Sequence, residues 1–299
     1  MTSPSAVSAS HARDSAASGD PFRLGSKAHL NAFCRMLLDT HNPYRPAVMD
    51  WPKLGDEARN RLVALPIWDI AVQTEGRAGL NVATYAGCIA DPLLRQAVEM
   101  NAFEERRHKH VLSNLVQAYG ITLAPEPEYV VPRDPEWSFM VTGYSECIDS
   151  FFAFGLFEAA KRTGFFPEEL VDTFEPVIQE EARHILFFIN WAAWHRRTMP
   201  WWRRPWFELK VFRVYLFLIW ERIGIARDVG NGVQDNNFTV TGASQLGADI
   251  EVADLMRICL AENDRRMARL DPRLPRPSTI PPLVRFALKF MRSKKKVPA

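Results

Sequence analysis

Glu104-Glu105-Arg106-Arg107-His108 and Glu180-Glu181-Ala182-Arg183-His184 spell one pattern, E-E-x-R-H, twice in a single chain. Both copies lie in long runs of helical periodicity. At about 3.6 residues per turn, a Glu and a His three apart project from neighbouring positions on one helix face. Glu105 with His108, and Glu181 with His184, can therefore each offer a carboxylate oxygen and an imidazole nitrogen to one metal ion. One E-x-x-H pair is commonplace on helices; what gives these two weight is where they sit. Leu94, Val98, Leu112 and Leu115 share the side of Glu105 and His108, and Phe174, Val177, Phe188 and Trp191 share the side of Glu181 and His184. Acids on an apolar stripe point inward. An unpaired buried carboxylate is costly, and ligation to a divalent cation is one of few ways to keep it charged. The rival reading is a pair of internal ion-pair clusters, each Glu with the Arg beside it.

The surrounding sequence is helical. Its periodicity predicts helices over 27–40, 56–89, 92–119, 136–163, 167–197, 205–228, 247–269 and 281–292, with no alternating strand pattern, which makes an all-α protein. Asp91-Pro92 is a helix-start dipeptide and Gly120 a helix end. The Pro-rich stretch ITLAPEPEYVVPRDPEW (121–137) is longer than a hairpin turn and suits one long crossover between two helical hairpins. Residues 1–21, rich in Ser and Ala without periodicity, are expected to be a disordered tail. An N-terminal helix and linker (22–55), a four-helix bundle (56–197) and additional helices packing on it (198–299) follow.

A two-metal centre in such a bundle needs one further carboxylate from each of the other two helices. In an antiparallel pair, residues at one level are equidistant from the turn. The first hairpin turns near Ala90-Asp91, with Glu105 about fifteen residues beyond, so its partner should lie about as far before; Glu75 does. The second turns near Gly164, which places the partner of Glu181 near residue 147, and Glu146 fits. Glu158, on the same helix, lies about three turns off level and is kept as a reserve ligand.

The order Glu75, Glu105, His108, Glu146, Glu181, His184 resembles the ligand order of the ferritin-like di-iron carboxylate superfamily, over about residues 56 to 197. That superfamily includes rubrerythrins, the small subunit of class I ribonucleotide reductase and bacterial multicomponent monooxygenases. The resemblance implies two iron ions, or a manganese and an iron, with O2 as co-substrate and a ferredoxin or flavoprotein reductase as electron donor. Glu104, Arg107, Glu180 and Arg183 resemble the acid and Arg that orient the imidazoles in the monooxygenase hydroxylases. Ser150, one turn after Glu146, lies where those proteins carry a hydroxyl residue; a helix-lining Ser is its plainer reading. Residue 112 is Leu, where the reductase subunit stores its Tyr radical, and a rubredoxin-like Cys pair is absent.

These features lead to an oxygenase or oxidase acting on a small, mainly apolar organic molecule, with hydroxylation, desaturation and N-oxidation equally open. Phe151, Phe152, Phe154, Phe157, Phe187, Phe188, Trp191 and Trp194 are possible pocket or core aromatics, and the small residues Ala78, Gly79, Ala83 and Gly143 could leave room beside the metals. The alternatives are an iron-oxidising or peroxide-scavenging protein, and a metal-free helical interaction protein. A formal charge of +2 gives no reason to expect nucleic acid. Cys34, Cys88, Cys147 and Cys259 without a CxxC, and the lack of an apolar leader, suggest the cytoplasm. Trp and basic residues around TMPWWRRPW and in LVRFALKFMRSKKK allow a peripheral membrane contact, with packing on the bundle or a homodimer interface as the plainer explanations.

Overall fold

The computed structural model describes residues 22–65, 67–228 and 250–291. The expected tail at 1–21 and the basic cluster from Arg292 to Lys296 lie outside them. Nine α-helices run in order among the described residues: α1 (Lys27–Asp39), α2 (Asp56–Ala64), α3 (Trp68–Ala86), α4 (Pro92–Tyr119), α5 (Pro135–Thr163), α6 (Glu168–Thr198), α7 (Arg204–Asp228), α8 (Val252–Met267) and α9 (Ile280–Leu288). No strand occurs among these residues.

The helix ends follow local chemistry. Asp91 accepts a hydrogen bond from the Leu94 amide at 2.9 Å with Pro92 in the first turn, and Asp134 does the same for Trp137 with Pro135. α4 and α5 each end on a glycine in the left-handed region, Gly120 at φ 69° and Gly164 at φ 66°, which L side chains rarely adopt. The single helix expected over 56–89 is two. Leu65 precedes Pro66, whose ring disfavours helical backbone in the residue before it, and Leu65 is extended at ψ 121°. The Trp68 indole N–H donates to the Leu62 carbonyl at 2.9 Å and ties α3 to α2 across the break.

α3 and α4 form one antiparallel hairpin, α5 and α6 the other, and residues 120–134 cross between them. α3 lies along α5, whereas the backbones of α4 and α6 stay further apart, with the charged side chains of both E-E-x-R-H motifs between them. α1 packs on α4 and α6 and closes that gap. The core is accordingly split by a polar layer. One apolar cluster, around Phe33, Val98, Phe139, Phe187 and Trp191, fills the end of the α3–α4 turn; another, around Leu62, Trp68, Leu115 and Phe174, fills the end of the α5–α6 turn. α7 and α8 pack on α5, and α9 packs on α8. This is a ferritin-like four-helix bundle with additional C-terminal helices.

Candidate metal centre

Each E-E-x-R-H helix orients the histidine of the other. His108 Nε2 lies 2.9 Å from Glu180 Oε2 and His184 Nε2 lies 2.8 Å from Glu104 Oε2. A carboxylate can only accept, so both Nε2 atoms carry the proton and both Nδ1 atoms are turned inward. The arginines cross over in the same way. Arg183 donates to both oxygens of Glu104 at 2.9 and 3.0 Å, and Arg107 pairs with Glu180. The result is a nearly twofold arrangement of two Glu–His–Arg sets, buried on both sides.

Inside this frame the six residues Glu75, Glu105, His108, Glu146, Glu181 and His184 come together in overlapping trios whose ligand atoms lie within 4.8 Å of one another. The imidazole rings are 5.5 Å apart. His184 Nδ1 sits 2.7 Å from Glu105 Oε1, and His108 Nδ1 sits 3.1 Å from Glu181 Oε1 and 3.7 Å from Glu75 Oε2. These are close approaches without hydrogen-bond geometry: both Nδ1 atoms, and Glu146 Oε1, are buried polar atoms with no hydrogen-bond partner. Buried donors and acceptors are nearly always satisfied in folded proteins. Atoms that converge yet do not pair with one another are what a cation-binding site looks like from its ligands, and the described residues form Glu/His clusters able to hold a metal pair. Asn101 donates to Glu105 Oε1 at 3.2 Å and Ser150 to Glu181 Oε2 at 3.1 Å.

The electrostatics fit. Burial alone would favour neutral imidazoles, but Glu180, Glu181 and Glu75 around His108, and Glu105 and Glu104 around His184, raise both histidines well above their usual value. Burial, with the charges of Glu105 and Glu181 nearby, pushes Glu146 well up, and burial drives Glu75 up to about 8. Glu104 goes the other way. Burial opposes its ionisation, but His184, Arg183 and His41 hold it far below the carboxylate range. Ionised, the six carboxylates gathered here outnumber the two guanidiniums by four charges, which two divalent cations would neutralise.

Several contributors were not legible in the sequence. His41 Nδ1 lies 2.6 Å from Glu104 Oε1, Tyr44 Oη donates to Glu180 at 3.2 Å, and Thr40 accepts from Arg183 Nε at 2.8 Å. Arg107 donates to the carbonyls of Asn42 and Tyr44. The stretch expected to be a linker after α1 thus walls the charged layer. Glu158 is not brought to the cluster: it pairs with Arg162 one turn on, at the surface.

A cavity of about 620 Å³ opens beside the centre, with Glu75, Glu105, His108, Glu146 and Glu181 in its wall. Its apolar end is formed by Leu65, Trp68, Leu112, Phe157, Phe174 and Ile178, and its polar edge includes Ser145, Asp149 and Arg222. Of the aromatics named from the sequence only Phe157 lines it. Phe154, Phe187, Phe188 and Trp191 are core, and Phe151 packs towards α8 and α9, because the pocket lies towards the α5–α6 turn and not towards the crowded opposite end. Ala78 lines the cavity. Gly143 leaves no room beside the cluster, since the Phe188 ring occupies the place of its missing Cβ, and Gly79 serves close approach of α3 to the side chain of Arg106.

No protein-family model and no curated protein matches the chain. Among solved structures, an R2-like ligand-binding oxidase with an aerobically reconstituted Mn/Fe cofactor aligns with a TM-score of 0.50 and 16% identity, covering 84% of this chain and 95% of that one. A variant of an R2-like ligand-binding oxidase with a single valine-to-isoleucine change aligns at 0.49 and 16%, covering 81% and 94%. Two helical hairpins joined by one long crossover, together with the first of these likenesses, give the chain a ferritin-like fold.

Proposed function

We propose that Glu75, Glu105, His108, Glu146, Glu181 and His184 hold two iron ions, or one manganese and one iron, and that the chain is an oxidase or oxygenase acting on a small, mainly apolar organic molecule seated in the adjoining cavity. The observation that carries this reading is the pair of buried, unpartnered Nδ1 atoms facing four carboxylates in the wall of an apolar chamber. Two such ions, when bound, supply electrons to O2 and pass its oxidising power to a substrate. The protein's own part is ligation, orientation and exclusion of water. Glu105 and Glu181, each nearest the histidine of the opposite helix, would be ligands supplied from both E-E-x-R-H helices. Glu104 and Glu180 keep the proton on Nε2 and so leave the Nδ1 lone pairs for the metals. Leu112, Phe157 and Phe174 give the substrate an apolar wall beside the centre. Electrons would come from a ferredoxin or a flavoprotein reductase.

The test is metal content followed by turnover. Protein from iron-supplemented cells should carry about two metal ions per chain, and Glu105→Ala and His184→Ala, still folded by circular dichroism, should lose them. With a reductant, O2 uptake should rise on adding a cavity-sized apolar substrate. Uptake that follows ferrous iron alone, with more iron retained than the centre can hold, would replace this reading with iron oxidation and storage; a metal-free parent after anaerobic ferrous reconstitution would end both.

A further inference from the structure

α7 is apolar on two sides but packed on one. Phe207, Val214 and Leu218 form a narrow buried stripe against the bundle. On the opposite side Leu209, Phe212, Leu216, Ile219 and Trp220 are exposed, and Trp220 is 71% exposed. A helix apolar all round is normally covered.

The rims of this face identify what covers it. At its start Trp201, Trp202 and Trp206 are exposed among Arg203 and Arg204, and Arg213 lies on its flank. Glu208, the acid of the helix's first turns, is taken by Arg196. Tyr215 of α7 reaches Thr279, the residue before α9, at 3.4 Å. α9 exposes Leu283 and Phe286, and Phe290 just beyond it is exposed too; the sequence continues with Arg292, Lys294, Lys295 and Lys296. Tryptophan at the borders of an apolar strip with arginine and lysine beside it matches the interface of an anionic bilayer, where indoles sit at headgroup level and cations meet phosphate. Among the described residues no helix is long and apolar enough to cross a membrane, so the contact is one of lying on the surface.

We propose that the outer face of α7, with α9, docks the protein on anionic lipid membranes. The test is flotation of the full chain with vesicles of equal parts phosphatidylcholine and phosphatidylglycerol. The chain should float with these, bind phosphatidylcholine vesicles at least about tenfold more weakly, and be released by high salt. Phe212→Glu with Leu216→Glu, both at exposed positions, should abolish flotation while circular dichroism and melting stay those of the parent. Failure to float with anionic vesicles, or undiminished flotation of the double variant, overturns the proposal. So does a parent that sediments without lipid as a dimer which the double variant makes monomeric, since that would assign the face to a second copy. None of these readings depends on metal content or turnover.

Discussion

Glu104 and Glu180 touch no proposed metal position, yet each fixes a histidine that does. Glu104→Gln keeps the shape but removes the charge that Arg183, His184 and His41 all address. Loss of such an outer hydrogen bond typically costs about 10–100-fold in metal affinity. Glu104→Gln and Glu180→Gln should both show that loss in chelator competition, while Glu158→Gln, whose carboxylate meets only Arg162, should leave affinity unchanged. Equal behaviour of all three would detach the crossed Glu–His pairs from the centre. The six residues that converge were legible because helical period and hairpin level are local arithmetic, and Glu75 and Glu146 came from counting back from a turn. His41, Tyr44 and Asn101 were not. The first two lie in an aperiodic segment whose place against α4 and α6 is set by the docking of α1, which no spacing rule conveys.

At the scale of elements, α5 faces two ways: Glu146 looks into the centre, and Gly155 lets α8 approach on another side. A Cβ at Gly155 would lie 2.9 Å from the Cα of Cys259 and against its sulfur, so backbone, not a flexible side chain, stands in the way. Gly155→Ala should push α8 outward and lower stability by about 1–3 kcal/mol, as overpacking does, visible as an earlier melting transition. A transition at the parent's temperature would show that α8 is loosely held. Gly155 reads in the sequence as one small residue inside a helix, and nothing local announces that α8 lies against it. The same limit explains the aromatics. Their helical spacing shows which of them share a face but not which end of the bundle is filled and which is left open, and the chamber turned out to lie beside Phe157, Phe165 and Phe174. Helix ends marked by Asp-Pro and Gly were readable to within a residue or two. The break at Pro66 was passed over because the periodicity resumes at once beyond it.

Across the whole molecule the decisive quantity is the charge enclosed between α4 and α6. Without metal, the four negative charges in excess must be balanced by protons, and the groups raised to hold them are His108, His184, Glu146 and Glu75. Two divalent cations would take the place of those protons, so loading the metal-free chain near neutral pH should release about four protons per chain, measured in weak buffer with an indicator dye. The yield should shrink as pH passes about 8, where Glu75 has already given up its own. The same shifts set the stability of the metal-free chain. A group whose pKa is higher folded than unfolded stabilises fully below its unfolded value, and loses that contribution as pH rises through the folded one. For Glu75 the window runs from its ordinary 4.5 up to about 8, and the raised histidines and Glu146 act in the same direction. The melting temperature of the metal-free chain should therefore fall as pH is raised from about 5 to about 8, and bound metal should flatten the slope by replacing the protons with a charge that does not titrate away. A metal-free melting temperature that climbs through this window would mean that the carboxylates are already ionised and the cavity wall tolerates their charge unaided, and the account of the centre as a site awaiting two cations would fail with it.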